Sequence, residues 1–592
     1  MNKIASSVLS LLLALAPAAS AAAAAGGPVK NPDTFVYATI GDPESFDPAW
    51  AYDANSQAII ANIYEYLLTF NSSGTMTKDL RPLIATKVPS RANGLISADG
   101  LTYRFPIRKG VKFHDGAPLT PDDVRYSLLR FMLFDRDGGP SSLLLEPILG
   151  LTSTRKDGKL VPGLWGEASK AVTVKGDEVV VRLKKPFAPF LTILVGFGAV
   201  MERKWCAAHG QWDGEGATVE KFNNPRLEGA IPKTLANGTG PFKLERFELN
   251  TKESILTRND AYWRKPAALK TVVIKVVDEY ATRRLMVAAG DADVVYVPTM
   301  YFPQMHGIPG VEVIDGLQNL ERSLLVNFTF KMNAAGNGNI GSGKLDGEGV
   351  PPDFFSDRDV RKAFAYSIDY PGYIRDILRG RGTQSAGLIP PGLLGYKSGP
   401  PRYTFDPKKA AEHFKKAWGG QVWEKGFKVA IVFNTGSAPA QSLCQMIKKN
   451  VEALNPKFHI DIRQLQWSSY LEQTQARKVP IQLGAWQADY PDPHNFVFPL
   501  LHSDGFFPSK QGYKNPVVDK LIEEAAHTLD DAKRAVLYRK IQDIADDDVP
   551  TIAVADGPRY RVQRTWVKGF VFKPGFPDMP YNSYYYDLHK GE

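Results

Sequence analysis

The chain has 592 residues, which is too many for one compact core and predicts two or three domains. Hydrophobic residues make up 44% of the chain and charged residues 23%, the balance of an ordinary soluble globular protein. The formal net charge is +9, but acidic residues are interleaved with the basic ones and there is no long run of Lys or Arg, so the composition argues against nucleic-acid binding.

The first residues have the parts of a secretory signal peptide. A charged start at Lys3 precedes an apolar core over 8–16, and Ala19-Ser20-Ala21 offers a small-residue cleavage site. The apolar core is too short to span a membrane, and no later stretch approaches the roughly 18 to 20 apolar residues that a span needs. No cysteine follows the cleavage region, so no lipid anchor is expected. We therefore predict a signal peptide over 1–21 and a soluble protein exported to the periplasm.

Strand and helix patterns alternate through the first half of the chain. Residues 34–40 read as a strand, 55–68 as a helix with one apolar face, and 101–108 as a strand. Thr120, Pro121 and Asp123 have the spacing of a capping box with proline at the first helical position. A helix is therefore predicted to begin at Pro121.

The alternation continues to the end of the chain. The further predicted elements are a hairpin over 170–183, strands over 270–277, 293–297, 323–330, 481–486 and 550–555, and helices over 279–289, 516–527 and 530–546. This order indicates an α/β or α+β protein.

A glycine-rich segment over 331–352 contains two phosphate-loop patterns. Gly336, Gly338 and Gly341 match the dinucleotide-binding spacing, but the residues that follow cannot easily form the required helix. The stretch 338–344 matches the start of a P-loop, but Leu345 replaces the Ser or Thr that would bind magnesium. We therefore expect a surface loop or insertion that binds no nucleotide.

The sequence offers no convincing catalytic set. His494, His502 and Asp504 lie close together, but their spacing fits no known metal site, and no G-x-S-x-G nucleophile elbow occurs. Carboxylate pairs such as Glu523-Glu524 fall on amphipathic helices, where a solvated helix face explains them. The expectation is no catalytic residue, no metal and no cofactor, with a secreted hydrolase as the less favoured alternative from a different functional class.

The most unusual local feature is the acidic aromatic turn over 486–493. A strand runs into Trp486, and the prolines at 491 and 493 end the sheet there. An extended backbone edge, an aromatic ring and the Asp489 carboxylate then meet at one strand end, which suits pairing with a peptide and neutralising its ammonium group. The alternative is that Asp489 caps the turn and Trp486 fills a core. The residues alone leave both interpretations open.

Several segments together resemble the extracellular solute-binding proteins of family 5, the oligopeptide-, dipeptide- and nickel-binding group that serves ABC importers. The matching segments are 45–48, 62–67, 99–105, 110–124, 238–242, 359–369 and 486–493. They fall in family order across nearly the whole chain. Any one of them alone would be a weak signal.

The resemblance implies a two-lobed α/β clamp of the periplasmic binding-protein type (type II, cluster C-like) with an extra subdomain in the first lobe. The implied first-lobe core comprises 30–60, 181–277 and 556–592, the inserted subdomain 61–180, and the second lobe 278–555. Cys206 and Cys444 then lie in different lobes, so two free, buried thiols are expected. His114 belongs to a family structural motif, which favours a structural role over metal binding.

The resemblance also implies a ligand site. Asp489 would pair with the α-ammonium of a peptide, and Ala485, Trp486 and Gln487 would hydrogen-bond the peptide main chain. Tyr52, Asp53 and Ala54 would line the opposite strand edge. No motif identifies the basic residue that would hold a peptide carboxylate.

The implied function is capture of a small solute, with a short peptide as the leading ligand, and delivery to ABC permease subunits in the inner membrane. The same fold binding an oligosaccharide, an opine or a metal chelate is the alternative. The protein is expected to be a monomer without enzymatic activity or nucleic-acid partner.

Overall fold

The computed structural model describes residues 28–70, 80–435, 437–573 and 584–592. The predicted signal peptide lies outside these residues. Within the described ranges, none of the helices combines the length and apolar character needed to cross a membrane.

The strands carry the architecture and are numbered in chain order. They are β1 (Thr34–Thr39), β2 (Leu68–Phe70), β3 (Leu80–Pro82), β4 (Thr102–Pro106), β5 (Arg155–Lys156), β6 (Lys159–Leu160), β7 (Val172–Lys175), β8 (Glu178–Arg182), β9 (Phe242–Glu248), β10 (Glu253–Arg258), β11 (Thr271–Val276), β12 (Val294–Val295), β13 (Val311–Leu317), β14 (Glu321–Phe328), β15 (Thr383–Gln384), β16 (Phe427–Asn434), β17 (Phe458–Leu465), β18 (Ile481–Gln487), β19 (Thr551–Ala553), β20 (Ala555–Asp556), β21 (Arg559–Arg564), β22 (Val567–Lys568) and β23 (His589–Lys590).

The α-helices are also numbered in chain order. They are α1 (Ala54–Ile63), α2 (Pro121–Phe134), α3 (Ser142–Leu149), α4 (Leu164–Ala171), α5 (Phe190–Ile193), α6 (Arg203–Ala208), α7 (Val219–Phe222), α8 (Tyr280–Ala289), α9 (Arg358–Ser367), α10 (Tyr370–Gly372), α11 (Pro407–Lys416), α12 (Gln421–Lys425), α13 (Ala438–Glu452), α14 (Trp467–Gln475), α15 (His494–Leu501), α16 (Pro508–Gln511), α17 (Pro516–His527) and α18 (Asp531–Asp548).

Two mixed sheets organise the molecule. The seven-stranded sheet has the order β13-β21-β12-β1-β11-β10-β9, and the five-stranded sheet has the order β17-β16-β18-β14-β19. We call the parts built around them the first and the second lobe. A three-stranded sheet, β4-β8-β7, lies within the region predicted as an inserted subdomain and extends just past its predicted end.

Each lobe has its own hydrophobic core. In the second lobe, Val326 and Phe328 enter one buried cluster while Leu325 enters another, because alternate residues of a strand point to opposite faces of the sheet. Cys206 belongs to the first-lobe core and Cys444 to the second, and both thiols are free and buried, as predicted.

The chain passes from the first sheet to the second between β13 and β14, and returns between β19 and β21. The predicted crossing near 278 is therefore placed too early. β11, α8 and β12 form a crossover unit whose two strands both run parallel to β1. Such a unit returns its second strand to the same sheet, so the helix after residue 278 cannot lead into the other lobe.

The predicted capping box is confirmed. The Thr120 hydroxyl accepts from the Asp123 amide, and the Asp123 carboxylate accepts from the Thr120 amide, with Pro121 at the start of α2. The helix predicted over 55–68 is shorter than expected and ends at Ile63, because the Gly240 amide donates to the Ile63 carbonyl at 2.8 Å. A Cβ on Gly238 would lie 2.0 Å from that same oxygen, so glycine is required there.

Residues that carried the family resemblance also stabilise the first lobe. Both Asp47 oxygens accept from the Arg130 guanidinium at 2.6 Å, and both residues are buried. The His114 ring contacts the 238–240 segment, with Nδ1 accepting from the Gly238 amide and Nε2 lying 3.0 Å from the Gly240 carbonyl. His114 therefore has a structural role, as expected.

The glycine-rich segment over 331–352 folds as an anchored loop. Ile340 and Val350 are buried, and Gly341 pairs with Gly349 in an isolated bridge. The next α-helix in the described chain is α9, well beyond the phosphate-loop patterns, so neither pattern has the helix that its site would require.

Candidate functional site

Asp489 lies where the two lobes meet. It follows β18 by two residues in the second lobe, and its Oδ2 accepts from the Tyr52 hydroxyl of the first lobe at 2.8 Å. Asn495 donates its side-chain amide to the same oxygen at 3.0 Å and accepts from the Asp489 amide at 2.8 Å. Among the described residues, both hydrogen bonds that this carboxylate accepts go to Oδ2, so Oδ1 has no hydrogen-bond donor within the described chain.

The electrostatic state of Asp489 is unusual for a carboxylate. Burial raises its pKa to about 6, even though the hydrogen bonds from Asn495 and Tyr52 favour the ionised form. No lysine or arginine of the described chain forms an ion pair with it. A ligand ammonium would provide the missing positive charge and would stabilise the carboxylate.

The backbone next to Asp489 has an open edge. β18 pairs with β14 along its length, but its parallel pairing with β16 covers only Ile481 and Gln482. From Leu483 onwards the described part of the chain supplies no second neighbouring strand. Ala485 is exposed, and Trp486 and Gln487 are partly exposed. An extended peptide could therefore add to this edge through main-chain hydrogen bonds.

Trp486 is fixed by the second lobe. Its Nε1 donates to the Asn495 carbonyl at 2.6 Å, and its ring packs against Phe506 and Phe507 with centroid distances of 5.6 and 6.1 Å. The indole is thus only partly available to a ligand. The interpretation of Trp486 as a core residue holds for much of its side chain.

The turn is capped by a different carboxylate. Asp492 accepts from the His494 amide at 2.9 Å and pairs with buried Arg534 at 2.8 Å. The capping role that the sequence left open for Asp489 is therefore filled by Asp492. The nearby His494 ring bonds to the Tyr490 hydroxyl at 2.8 Å through Nδ1.

The first-lobe side of the site differs in part from the prediction. Tyr52 reaches Asp489, and Asp53 caps α1 by accepting from the Ser56 amide at 2.9 Å. Asp53 Oδ2 is buried without a hydrogen-bond partner in the described chain, and burial raises the pKa of this carboxyl. Ala54 is the first residue of α1, so its helical backbone cannot serve as a strand edge. Ala54 is thus excluded from the predicted edge, while the edge at Tyr52 and Asp53 stays a prediction.

Two residues of this region were missed from the sequence. Asn495 orders Asp489 from the first turn of α15, and no motif marks it. Arg136 lies on the first-lobe side, where its Nε donates to the Trp50 carbonyl at 2.7 Å and its guanidinium stacks 3.9 Å from the Trp50 ring. Arg136 is one of the charges that act on both Tyr52 and Asp53.

The described residues do not assemble a metal-binding cluster. No group of three or more His, Cys, Asp or Glu side chains among them is arranged to hold an ion. His502 lies 3.6 Å from Glu523, and His494 lies 3.6 Å from Glu146, each as an isolated pair.

Comparison with known proteins gives consistent results. The sequence model described as bacterial extracellular solute-binding proteins, family 5 middle, matches residues 79–508. The dipeptide-binding protein of Escherichia coli K12 is 26% identical over 560 residues, covering 91% of this chain and 92% of that protein. Heme-binding protein A of Haemophilus influenzae is also 26% identical, covering 92% of this chain and 90% of that protein.

Structural comparison confirms the predicted two-lobed α/β fold. The periplasmic binding protein DppA from Helicobacter pylori, solved in complex with the peptide STSA, superimposes with a TM-score of 0.71. It is 23% identical and covers 94% of this chain and 98% of its own.

Proposed function

Because the chain belongs to the bacterial extracellular solute-binding proteins of family 5, we propose that it captures a short peptide between its two lobes and delivers it to the permease of an ABC importer. The protein acts outside the cytoplasmic membrane, as a monomer and without catalysing a reaction. The ligand lies along the open edge of β18, with its α-ammonium at Asp489.

The observation that carries this proposal is the environment of Asp489. The carboxylate is ordered by Asn495 and Tyr52, has one oxygen available, and has no cationic partner in the described chain. A carboxylate in these surroundings is suited to an ammonium group. The adjacent edge of β18 supplies main-chain groups, which tolerate different peptide side chains.

The role of Asp489 is tested with tri-alanine and isothermal titration calorimetry at pH 7. Asp489→Asn removes the charge and keeps the shape, so affinity should fall by roughly 1.5 to 3 kcal/mol, the usual contribution of a hydrogen bond to a charged group. Asp504→Asn changes the net charge equally at an exposed position and should bind like wild type. N-acetylated tri-alanine lacks the ammonium and should bind weakly to every variant. Unchanged tri-alanine affinity in Asp489→Asn would reject this role.

A non-peptide ligand is the competing proposal. It is supported by the similarity to a heme-binding protein. Mass spectrometry of the material released from purified protein separates the two. Recovery of peptides with free amino termini supports the peptide proposal. Recovery of only sugars, porphyrins or metal chelates would reject it.

A further inference from the structure

The two lobes also touch outside the proposed ligand site. A short segment of the first lobe, residues 186–188, lies against the C-terminal end of α17 in the second lobe. The Ala188 amide donates to the Ala526 carbonyl at 2.9 Å, and His527 Nδ1 lies 3.0 Å from the Pro186 carbonyl. Because a carbonyl can only accept, Nδ1 carries the proton and donates it. Two hydrogen bonds therefore join the lobes at this segment.

Phe187, in the middle of the 186–188 segment, fills the space between two helices of the second lobe. Only 1% of its surface is exposed. Its ring meets the His494 ring of α15 edge to face, with the centroids 5.2 Å apart, and lies 6.3 Å from the His527 ring at the end of α17. Moving the lobes apart would therefore uncover part of this aromatic ring.

The apolar contact continues across the boundary between the lobes. Tyr490 and Ala526 of the second lobe are 3% and 0% exposed, and they belong to the same buried cluster as Phe187 and the first-lobe core. At the proposed ligand site the lobes meet differently, through the hydrogen bond between Tyr52 and Asp489. Burial of apolar surface is favourable whatever the ligand is. The contacts of Phe187 thus stabilise the arrangement in which the lobes touch, independently of the ligand site.

Phe190 provides a comparison within the same stretch of chain. It is also 1% exposed, but its ring packs on Tyr103 and Phe105 of the first lobe, with centroid distances of 4.9 and 6.5 Å. The two phenylalanines are therefore equally buried, one within a lobe and the other between lobes.

We propose that the 186–188 segment acts as a latch that holds the two lobes together in the ligand-free protein. This inference goes beyond the proposed function, since it does not depend on what the ligand is. A latch of this kind shifts the population towards the closed arrangement, in which the lobes touch. A ligand that requires this arrangement then binds with higher affinity, because a larger fraction of the protein is already competent to hold it.

The experiment measures the distance between the lobes in the ligand-free protein by pulsed electron paramagnetic resonance. Nitroxide labels are attached through Lys175→Cys in the first lobe and Lys520→Cys on α17, both at exposed positions. The native Cys206 and Cys444 are buried and are left unlabelled.

Three variants are compared with wild type in this labelled background. Phe187→Ala removes the ring between the lobes, and Phe190→Ala is the control of equal size and burial. His527→Ala removes the donor to the Pro186 carbonyl at a partly exposed position, and it serves as the second variant in case Phe187→Ala is poorly folded.

We expect wild type to give a short distance, from the closed arrangement, and a long one. Phe187→Ala and His527→Ala should reduce the short-distance population at least threefold. Phe190→Ala should retain the wild-type distribution, because its contacts lie within one lobe.

Equal short-distance populations in wild type, Phe187→Ala and His527→Ala would overturn the inference, and so would a ligand-free wild type without a short distance. A loss in Phe190→Ala as large as that in Phe187→Ala would overturn it as well. Failure of the proposed function has a separate signature, since wild type would then fail to bind tri-alanine in calorimetry whatever the distances show.

Discussion

Ligand binding should weaken as the pH falls from 7 to 5, because Asp489 takes up a proton in the free protein. Its pKa is raised to about 6 by burial, whereas an ordinary aspartate ionises near 4. A ligand ammonium requires the ionised carboxylate. Below its pKa, part of the protein population must therefore lose a proton before it can bind.

The magnitude follows from the pKa. At pH 7 about nine-tenths of the free protein carries an ionised Asp489, but at pH 5 only about one-tenth does, so the apparent Kd should rise roughly tenfold, or ~1.4 kcal/mol. A peptide ammonium and a peptide carboxylate ionise near 8 and 3.5 and change little over this range.

The assay is calorimetric titration of tri-alanine between pH 5 and 7.5, with Asp489→Asn as the comparison. His494 and Glu146, which lie near the turn, could add their own pH dependence, and the same contribution would be present in the variant. The difference between the two proteins therefore isolates Asp489. A tri-alanine affinity that is independent of pH, or a pH dependence that persists unchanged in Asp489→Asn, would refute the reasoning.

Two further predictions concern stability. Arg534→Ala leaves Asp492 buried without its ion pair and should lower the free energy of unfolding by about 3 to 5 kcal/mol in guanidinium titrations. The control Arg539→Ala, on the exposed face of α18, should have little effect. Similar losses for the two variants would contradict this prediction. Burial raises the pKa of Glu65 from its ordinary value of about 4.5 to about 7 in the folded protein. The protonated carboxyl therefore stabilises the fold at low pH, and this contribution to the free energy of unfolding should be lost as the pH rises from 4.5 through 7. Relative to Glu65→Gln, wild type should therefore lose about 3 kcal/mol between pH 4.5 and 8, and parallel stability profiles would rule out this assignment.

Local features were predictable because they depend on neighbouring residues. The capping box at Thr120 needs only the spacing of Thr120, Pro121 and Asp123, and the structure has it as expected. The strand that ends in the acidic turn was also predictable, because alternating apolar residues followed by prolines leave few other conformations. The family resemblance then supplied the two-lobed fold, which neither composition nor periodicity could provide.

Long-range contacts were not predictable from the sequence alone. The hydrogen bond from the Tyr52 hydroxyl to Asp489, 437 residues away, was not predicted. Asn495 carries no motif, and its contact with Asp489 depends on how the first turn of α15 folds back onto the end of β18. The crossing between lobes was misplaced for a related reason, because residues 278–295 form a helix and strand whose sheet is decided by pairing with β1.

The geometry of Asp489 links ligand binding to the contact between the lobes. Tyr52 belongs to the first lobe and Asp489 to the second, and their hydrogen bond uses only Oδ2. Under the proposed function, a ligand ammonium would bind Oδ1 without displacing Tyr52. Since a hydrogen bond to the ionised carboxylate is stronger than one to the neutral acid, an ammonium that keeps Asp489 ionised also strengthens the Tyr52 contact. Ligand binding should thus favour the arrangement in which the two lobes touch, and protonation of Asp489 should weaken the ligand contact and the lobe contact together.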